Sequence, residues 1–200
     1  MSRSALVAAV LGAVVLGAGG AIAGRSLLPS RAPAPAPAAP RADDRPRGPA
    51  PPAGFVEFRD ELFSIAYPAG WTRQASRNPE VEILATGERS ASFLVRVVPL
   101  NFDVGPANVE AAKGLTDRVV KSARGVKLIA PPQRSDLGGL PGYFYLYSYR
   151  DGDGRRGAHS HYFLFKGDTM FTIVFQAVPE SRLPELAPVF DRIARTFRPS

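Results

Sequence analysis

The chain has 200 residues, a formal net charge of +7 and no cysteine. The lack of cysteine excludes disulfides, thiolate metal sites and the lipid-modified cysteine of bacterial lipoproteins. Residues 1–53 hold six of the 25 basic residues and two of the 18 acidic ones, so residues 54–200 carry a charge of only +3. Because basic and acidic residues are mixed there, the charge pattern does not favour a nucleic-acid partner.

The chain begins with an apolar segment. Residues 5–23 are 19 consecutive uncharged residues, mostly Ala, Val, Leu and Gly. A helix of this length spans roughly 28 Å, close to the thickness of a bilayer core. We therefore predict a transmembrane anchor or signal peptide in residues 1–24, with the rest of the chain outside the cytoplasm, because long domains are translocated largely regardless of their charge. The count of positive charges alone, with Arg25 and Arg31 after the run and Arg3 before it, would favour a cytoplasmic domain. The A-x-A pattern at Ala21 to Ala23 keeps the alternative open, a protein secreted after cleavage following Ala23.

A proline-rich segment follows the apolar one. Of the 25 residues from Pro29 to Ala53, 17 are Pro or Ala, and none is aromatic. Such a composition offers little apolar surface to offset the entropy of ordering. We therefore predict a disordered linker over residues 25–54, which could reach roughly 75 Å when extended.

Residues 55–199 have the pattern of one folded domain. Apolar runs bounded by Gly and Pro predict strands at 62–67, 81–85, 91–98, 126–130, 143–150, 158–165 and 170–178. The spacing of apolar residues predicts one amphipathic helix over 106–124, which Gly125 can end. A second helix is predicted to start near Pro188, after a turn. Short turns between consecutive strands require antiparallel pairing, so we expect an α+β fold with two main helices packed on an antiparallel sheet.

Short motifs occur at both ends of this domain. The first motif, residues 58–71, contains a predicted strand that ends in Tyr67-Pro68, with Gly70-Trp71 closely after it. The second motif, residues 193–198, reads Ile-Ala-Arg-Thr-Phe-Arg. Both segments resemble those of PsbP-like proteins, and the resemblance covers residues 55–199. It implies the αβα sandwich shared by PsbP, the DcrB-type bacterial envelope proteins and the LpqN-type lipoproteins.

The resemblance also has functional implications. Members of this superfamily mostly act as accessory or binding modules, and the resemblance carries over no catalytic residue. The chain departs from the lipoprotein members because it lacks the lipidated cysteine. In the opening motif, Trp71 is expected to cover the edge of the sheet, while Pro68 and Gly70 turn the chain.

Four tyrosines are the first candidates for partner binding. Tyr143, Tyr145, Tyr147 and Tyr149 alternate along one predicted strand, so their side chains share a face. An open row of phenols could bind a protein or glycan, because each ring combines a flat apolar surface with a hydrogen-bonding tip. The alternative is a row that lies beneath a helix.

The two histidines of the chain are candidate metal ligands. His159 and His161 share a face of one strand and could hold zinc with a carboxylate and water, but no third ligand follows from spacing. The same face continues into Phe163 and Phe165, so a strand that emerges from the core towards solvent is the alternative. The Asp151 segment starts like a calcium loop but has Arg155 at a ligand position, which predicts a hairpin turn.

These observations predict a non-catalytic, membrane-tethered extracytoplasmic domain that binds a protein or cell-envelope component, without a cofactor. The alternative is an envelope hydrolase or metal-binding protein that uses His159 and His161. The two hypotheses differ in what they require of the structure. An enzyme needs a deep pocket with convergent polar groups, and a binding module needs an exposed aromatic patch.

Overall fold

The computed structural model describes residues 49–200. The predicted anchor or signal peptide in residues 1–24 lies outside the described residues, and so does most of the predicted linker in residues 25–54. Within residues 49–200, every helix is too short or too polar to cross a bilayer.

The described part of the chain contains nine strands and two helices. In chain order they are β1 (Phe55–Arg59), β2 (Phe63–Pro68), β3 (Thr72–Arg73), β4 (Val81–Thr86), β5 (Ser92–Val104), α1 (Val109–Lys121), β6 (Lys127–Leu137), β7 (Leu140–Arg150), β8 (Arg156–Ala177), α2 (Leu183–Ala194) and β9 (Arg198–Pro199). Six strands form one sheet in the order β3-β4-β5-β8-β7-β6, and the other three form a small sheet in the order β1-β2-β9. All pairs are antiparallel, as predicted.

The strand β8 contains both of the strands predicted between residues 158 and 178. Nε2 of His159 lies 3.1 Å from Oε1 of Gln176, 17 positions further along the chain. A straight strand would separate them by about 55 Å, at roughly 3.3 Å per residue. The chain therefore folds back near Gly167, whose φ of +58° suits a tight turn. The first limb of β8 pairs with β7 and the second with β5.

The two helices cover opposite faces of the six-stranded sheet. The face towards α2, the phenylalanine face, carries Phe93, Phe171 and Phe175, and it also packs against Phe63 and Phe197 of the small-sheet region. The face towards α1, the tyrosine face, carries the four tyrosines of β7 and both histidines of β8. In the β7–β8 register, Tyr145 lies opposite His161 and Tyr147 lies opposite His159. The result is the helix–sheet–helix layering expected of an α+β sandwich.

Trp71 covers the edge of the sheet beside β3, as predicted. Its ring lies 6.0 Å from that of Phe93 and 6.5 Å from that of Phe190, measured between centroids. The indole also lies directly over Gly87, where an added Cβ atom would come within 2.5 Å of a ring atom. Glycine at this position therefore makes room for the indole.

Several predicted boundaries were wrong. The second helix begins at Leu183 rather than near Pro188, so Pro188 lies inside α2. The helix tolerates this proline because it loses only one backbone hydrogen bond and still buries Leu186 and Phe190. The strand β6 continues to Leu137, past two prolines at which its register to β7 shifts, as an edge strand allows.

Candidate functional site

The four tyrosines of β7 lie on one face, but that face is not open. The exposed fractions of Tyr143, Tyr145, Tyr147 and Tyr149 are 2%, 1%, 1% and 4%. Tyr143, Tyr145 and Tyr147 belong to one buried cluster with the apolar side chains of α1. This burial contradicts an open row of phenols on the surface and agrees with the alternative, a row beneath a helix.

Two of these tyrosines bind α1 through their hydroxyl groups. Tyr143 donates to Oε2 of Glu110 at 2.7 Å, and Tyr145 donates to Oδ1 of Asp117 at 2.6 Å. The hydroxyl of Thr116 also lies 2.7 Å from that of Tyr145. Since the single proton of Tyr145 goes to the carboxylate, the hydroxyl proton of Thr116 is shared between Tyr145 and the backbone carbonyl of Lys113, 2.9 Å away.

These contacts change the pKa values of the groups that make them. The hydrogen bond from Tyr145, followed by that from Lys113, lowers the pKa of Asp117. Burial, and then the neighbouring carboxylate of Asp117, raises the pKa of Tyr145. Both pKa shifts favour the same arrangement, in which the ionised carboxylate of Asp117 accepts from the neutral phenol of Tyr145. The helix is therefore fixed to the sheet by charge-assisted hydrogen bonds.

The two histidines lie deep in the tyrosine face. His159 is 3% exposed and His161 is 1% exposed, so the expectation of a strand that emerges towards solvent at this point is wrong. Both Nδ1 atoms approach the hydroxyl of Tyr147, His159 at 3.1 Å and His161 at 3.2 Å. His161 also stacks on Phe163, with centroids 3.9 Å apart.

Burial makes both imidazoles hard to protonate. It lowers the pKa of His159 to about 4, against a smaller opposing effect of its hydrogen bond with Gln176. Burial also lowers the pKa of His161 well below its ordinary value, and His159 and the cationic Arg96 lower it further. Both side chains are therefore neutral at pH 7, with their Nδ1 atoms engaged by Tyr147.

No cluster of three or more potential metal ligands occurs within residues 49–200. The suspected calcium loop is a hairpin turn, as predicted. Asp151 Oδ1 accepts from the backbone N–H groups of Asp153 at 3.0 Å and Arg155 at 2.8 Å, and the Arg155 side chain pairs with the same carboxylate. The carboxylate that would bind calcium is thus used to close the turn.

An open groove lies on the other face of β7, beside α2. The rings of Phe144 and Tyr162 lie 4.7 Å apart between centroids, and neither side chain is fully buried. The groove has a volume of about 650 Å³. We name it the α2 groove, and its main lining residues are Phe144, Leu146, Tyr162, Leu183, Pro184 and Pro188. Its lining has few polar groups, among them Ser160 and Asp191, whose carboxylate pairs with Arg195 at 2.7 Å.

The sequence contained a signal for this groove that the prediction did not use. Alternation already placed Phe144 and Leu146 on the face opposite the tyrosines. The alternation of side chains cannot show that α2 leaves these two side chains partly uncovered, because that depends on where the helix lies across the sheet.

A second concavity, of about 890 Å³, lies between residues 49–52, β1 and the end of α2. Its charged side chains are of both signs. Arg59 pairs with Glu57 at 3.1 Å, and Arg192 lies over the ring of Phe55 at 4.7 Å. Because the charges are mixed and partly engaged with each other, this surface has no evident preference for an anionic or cationic ligand.

The sequence matches no model of a known protein family and no curated protein. The fold does match solved structures. CyanoP, the cyanobacterial PsbP of Synechocystis sp. PCC 6803, is 20% identical, with a TM-score of 0.58 over 79% of this chain and 99% of that chain. LpqN of Mycobacterium tuberculosis is 16% identical, with a TM-score of 0.52 over 73% of this chain and 90% of that chain. The domain has a PsbP-like fold.

This finding confirms the resemblance that the motifs at 58–71 and 193–198 predicted. The PsbP-like domain has the antiparallel sheet and the two helices that the resemblance implied. At such low identity the similarity concerns the fold alone, so the role of each site residue has to be argued from this chain.

Proposed function

We propose that the chain is a non-catalytic PsbP-like accessory protein of the cell envelope that binds a protein partner through the α2 groove. In this proposal residues 5–23 hold it in the membrane, residues 25–54 act as a tether, and the domain lies outside the cytoplasm. The observation that carries the proposal is the partly exposed ring pair of Phe144 and Tyr162 in an open apolar groove.

The chemistry of the α2 groove favours a protein segment over a glycan. Aromatic side chains beside aliphatic ones are typical of the centres of protein interfaces, where a few buried rings supply most of the affinity. A glycan would need many hydrogen-bonding groups around the rings, whereas leucine and proline side chains surround this pair. The occupant that fits is therefore an apolar peptide segment of the partner.

The enzyme alternative finds less support. His159 and His161 are buried, and Tyr147 engages both of them at Nδ1. A general base or metal ligand has to reach its substrate or ion in an accessible pocket. The α2 groove lacks the convergent polar groups that an enzyme site needs, since its polar side chains are few and Asp191 is already paired.

The envelope location has two supports. The apolar run at 5–23 is long enough to span a bilayer, and LpqN, whose fold is similar, is described as involved in cell envelope biogenesis. Cleavage after Ala23 would instead release the domain, and the mass of the mature protein distinguishes these two outcomes.

A cross-linking experiment with the full chain in its native membranes tests the proposal. Partner capture by the wild type is compared with capture by Phe144→Ala and by the matched control Phe102→Ala. Phe102 is 44% exposed and lies on β5, away from the α2 groove. We expect Phe144→Ala to reduce capture about tenfold or more, the size of an interface hot spot. Equal capture by the two variants, with both folded by circular dichroism, would contradict the proposal.

A further inference from the structure

The histidines and Tyr147 form a hydrogen-bonded chain whose protons can be counted. Gln176 presents its Oε1 atom to Nε2 of His159, so that nitrogen carries the proton and Nδ1 of His159 has a lone pair. Tyr147 must then donate to His159 and accept from Nδ1–H of His161. The second ring nitrogen of His161 is left as a bare lone pair, and no polar atom of residues 49–200 bonds it.

An additional proton would leave one N–H or O–H group of this hydrogen-bonded series without an acceptor. A proton on Nδ1 of His159 would donate to the hydroxyl of Tyr147, which would then turn its own proton to Nδ1 of His161 and move the proton of that ring to Nε2, where no polar atom of residues 49–200 accepts it. A proton on Nε2 of His161 would create a buried cation without an acceptor among the described residues. The reversed amide of Gln176 would only reverse the direction of the chain, so each imidazole would still carry a single proton.

The surroundings do not compensate for a buried imidazolium, because the charged groups there are already engaged. Each of the neighbouring elements contributes one: Arg96 on β5, paired with Glu80; Asp117 on α1, held by Tyr145 and Lys113; and Asp151 after β7, held by Arg155. Arg96 is itself a cation and opposes a second positive charge at His161.

The histidines border a cavity of about 60 Å³ that is lined by Val119, near the end of α1, and by Ser76 and Asn78 of the segment between β3 and β4. Of these two elements, α1 is weakly held by apolar contacts. Its buried stripe consists of Val109, Ala112, Thr116 and Val120, which are small side chains. Movement of α1 would therefore give water access to the imidazoles while the packing on the phenylalanine face stays intact.

We propose that His159, Tyr147 and His161 form an acid-sensitive latch beneath α1. In mild acid the histidines take up protons only when α1 leaves the sheet, so acidification favours a form with α1 displaced. That form exposes the tyrosine face of β7. The pH of the compartment thereby controls whether Tyr143, Tyr145 and Tyr147 are covered by α1.

The sign and size of the effect follow from proton linkage. An exposed histidine has an ordinary pKa near 6.5, whereas the closed form refuses the proton. The open form therefore binds more protons below about pH 6.5, and the opening equilibrium constant rises about tenfold per pH unit for each histidine that becomes exposed. For His159 the increase ends near pH 4, where the closed form is protonated too.

The chain makes this test specific because it has only two histidines. Hydrogen exchange of the full chain in detergent is measured at pH 7 and pH 5, corrected for the intrinsic exchange rates. We expect amides of α1 to open at least about tenfold more often at pH 5, while amides of α2 serve as the internal control and change little. NMR of the imidazole protons in the same sample should show no titration near pH 6.5.

A variant then assigns the effect to the latch. His161→Phe keeps the ring stacked on Phe163 but removes one titrating group, so the increase in α1 opening between pH 7 and pH 5 should become about 25-fold smaller. Three results would overturn the proposal: imidazoles that titrate near pH 6.5 in the closed protein, α1 amides whose opening does not change with pH, or α2 amides that open as much as those of α1. The wild-type measurements decide even if the variant does not fold.

Discussion

The two helices cover the two faces of the same sheet in different ways. On the phenylalanine face, α2 inserts Phe190 against Phe175, with ring centroids 5.2 Å apart and nearly parallel planes. On the tyrosine face, α1 contributes small side chains and is fixed by hydrogen bonds from Tyr143 and Tyr145. The first contact depends on buried volume and the second on the geometry and ionisation of a few polar atoms. We therefore expect the two faces to respond to different perturbations.

The largest effect is expected from a cavity on the phenylalanine face. Phe190→Ala removes a ring that is 2% exposed and that contacts Phe175 and Trp71, so it should lower the free energy of unfolding by about 3–5 kcal/mol. Urea unfolding of the chain, followed by the fluorescence of its single tryptophan, measures this change. The exposed Phe102→Ala is the control and should cost less than about 0.5 kcal/mol. A loss below about 1 kcal/mol for Phe190→Ala would show that this face is not held by packing.

A smaller effect is expected on the tyrosine face. Tyr145→Phe keeps the ring but deletes the hydroxyl that joins Thr116 and Asp117, so it should cost about 1–3 kcal/mol. The pKa of Asp117 should rise towards its ordinary value, since the hydrogen bond from Tyr145 is the main cause of its depression. Urea unfolding and carboxyl NMR provide the two measurements. An unchanged pKa of Asp117 would refute the assigned hydrogen bond.

The smallest effect is expected at Tyr149, the last tyrosine of the row, where removal of the hydroxyl should not lower the stability. The hydroxyl of Tyr149 is buried and has no hydrogen-bond partner within residues 49–200. Tyr149→Phe should therefore leave stability unchanged or raise it by about 1 kcal/mol, because a desolvated polar group disappears. It is the matched control for Tyr145→Phe in the same unfolding experiment. A loss as large as that of Tyr145→Phe would mean that the hydroxyl makes a stabilising contact.

Periodicity along the sequence predicted the faces of the elements better than their ends. The stripe of α1 and the shared face of Tyr143 to Tyr149 follow from local geometry, because side-chain direction is fixed by helix and strand repeats. The start of α2 did not follow, since Pro188 has a strong local preference that the burial of Leu186 and Phe190 overrides. The strands β1 and β9 were missed because they are short and owe their existence to pairing with β2.

The functional reading of the same residues depended on tertiary structure. Alternation shows that four tyrosines share a face, but not whether a helix covers it, so the sequence left both an open row and a row beneath a helix possible. The histidine pair shows the same limit. Its neighbour Gln176 is 17 positions away and meets His159 only because the chain reverses near Gly167. The α2 groove lies between the side of α2 and the strand that carries Phe144 and Leu146, an arrangement that no local pattern encodes.

The small sheet has a mechanical consequence. If residues 25–54 form a tether, any pull along it enters the domain at Phe55, the first residue of β1. That strand is at the edge of its sheet and joins only β2, with Phe55 opposite Pro68 at the end where the force arrives. The ladder would then open one pair at a time, and Phe55 and Phe58 would leave the core of the phenylalanine face as it opened. Under tension β1 would thus detach first, while the rest of the domain stays folded.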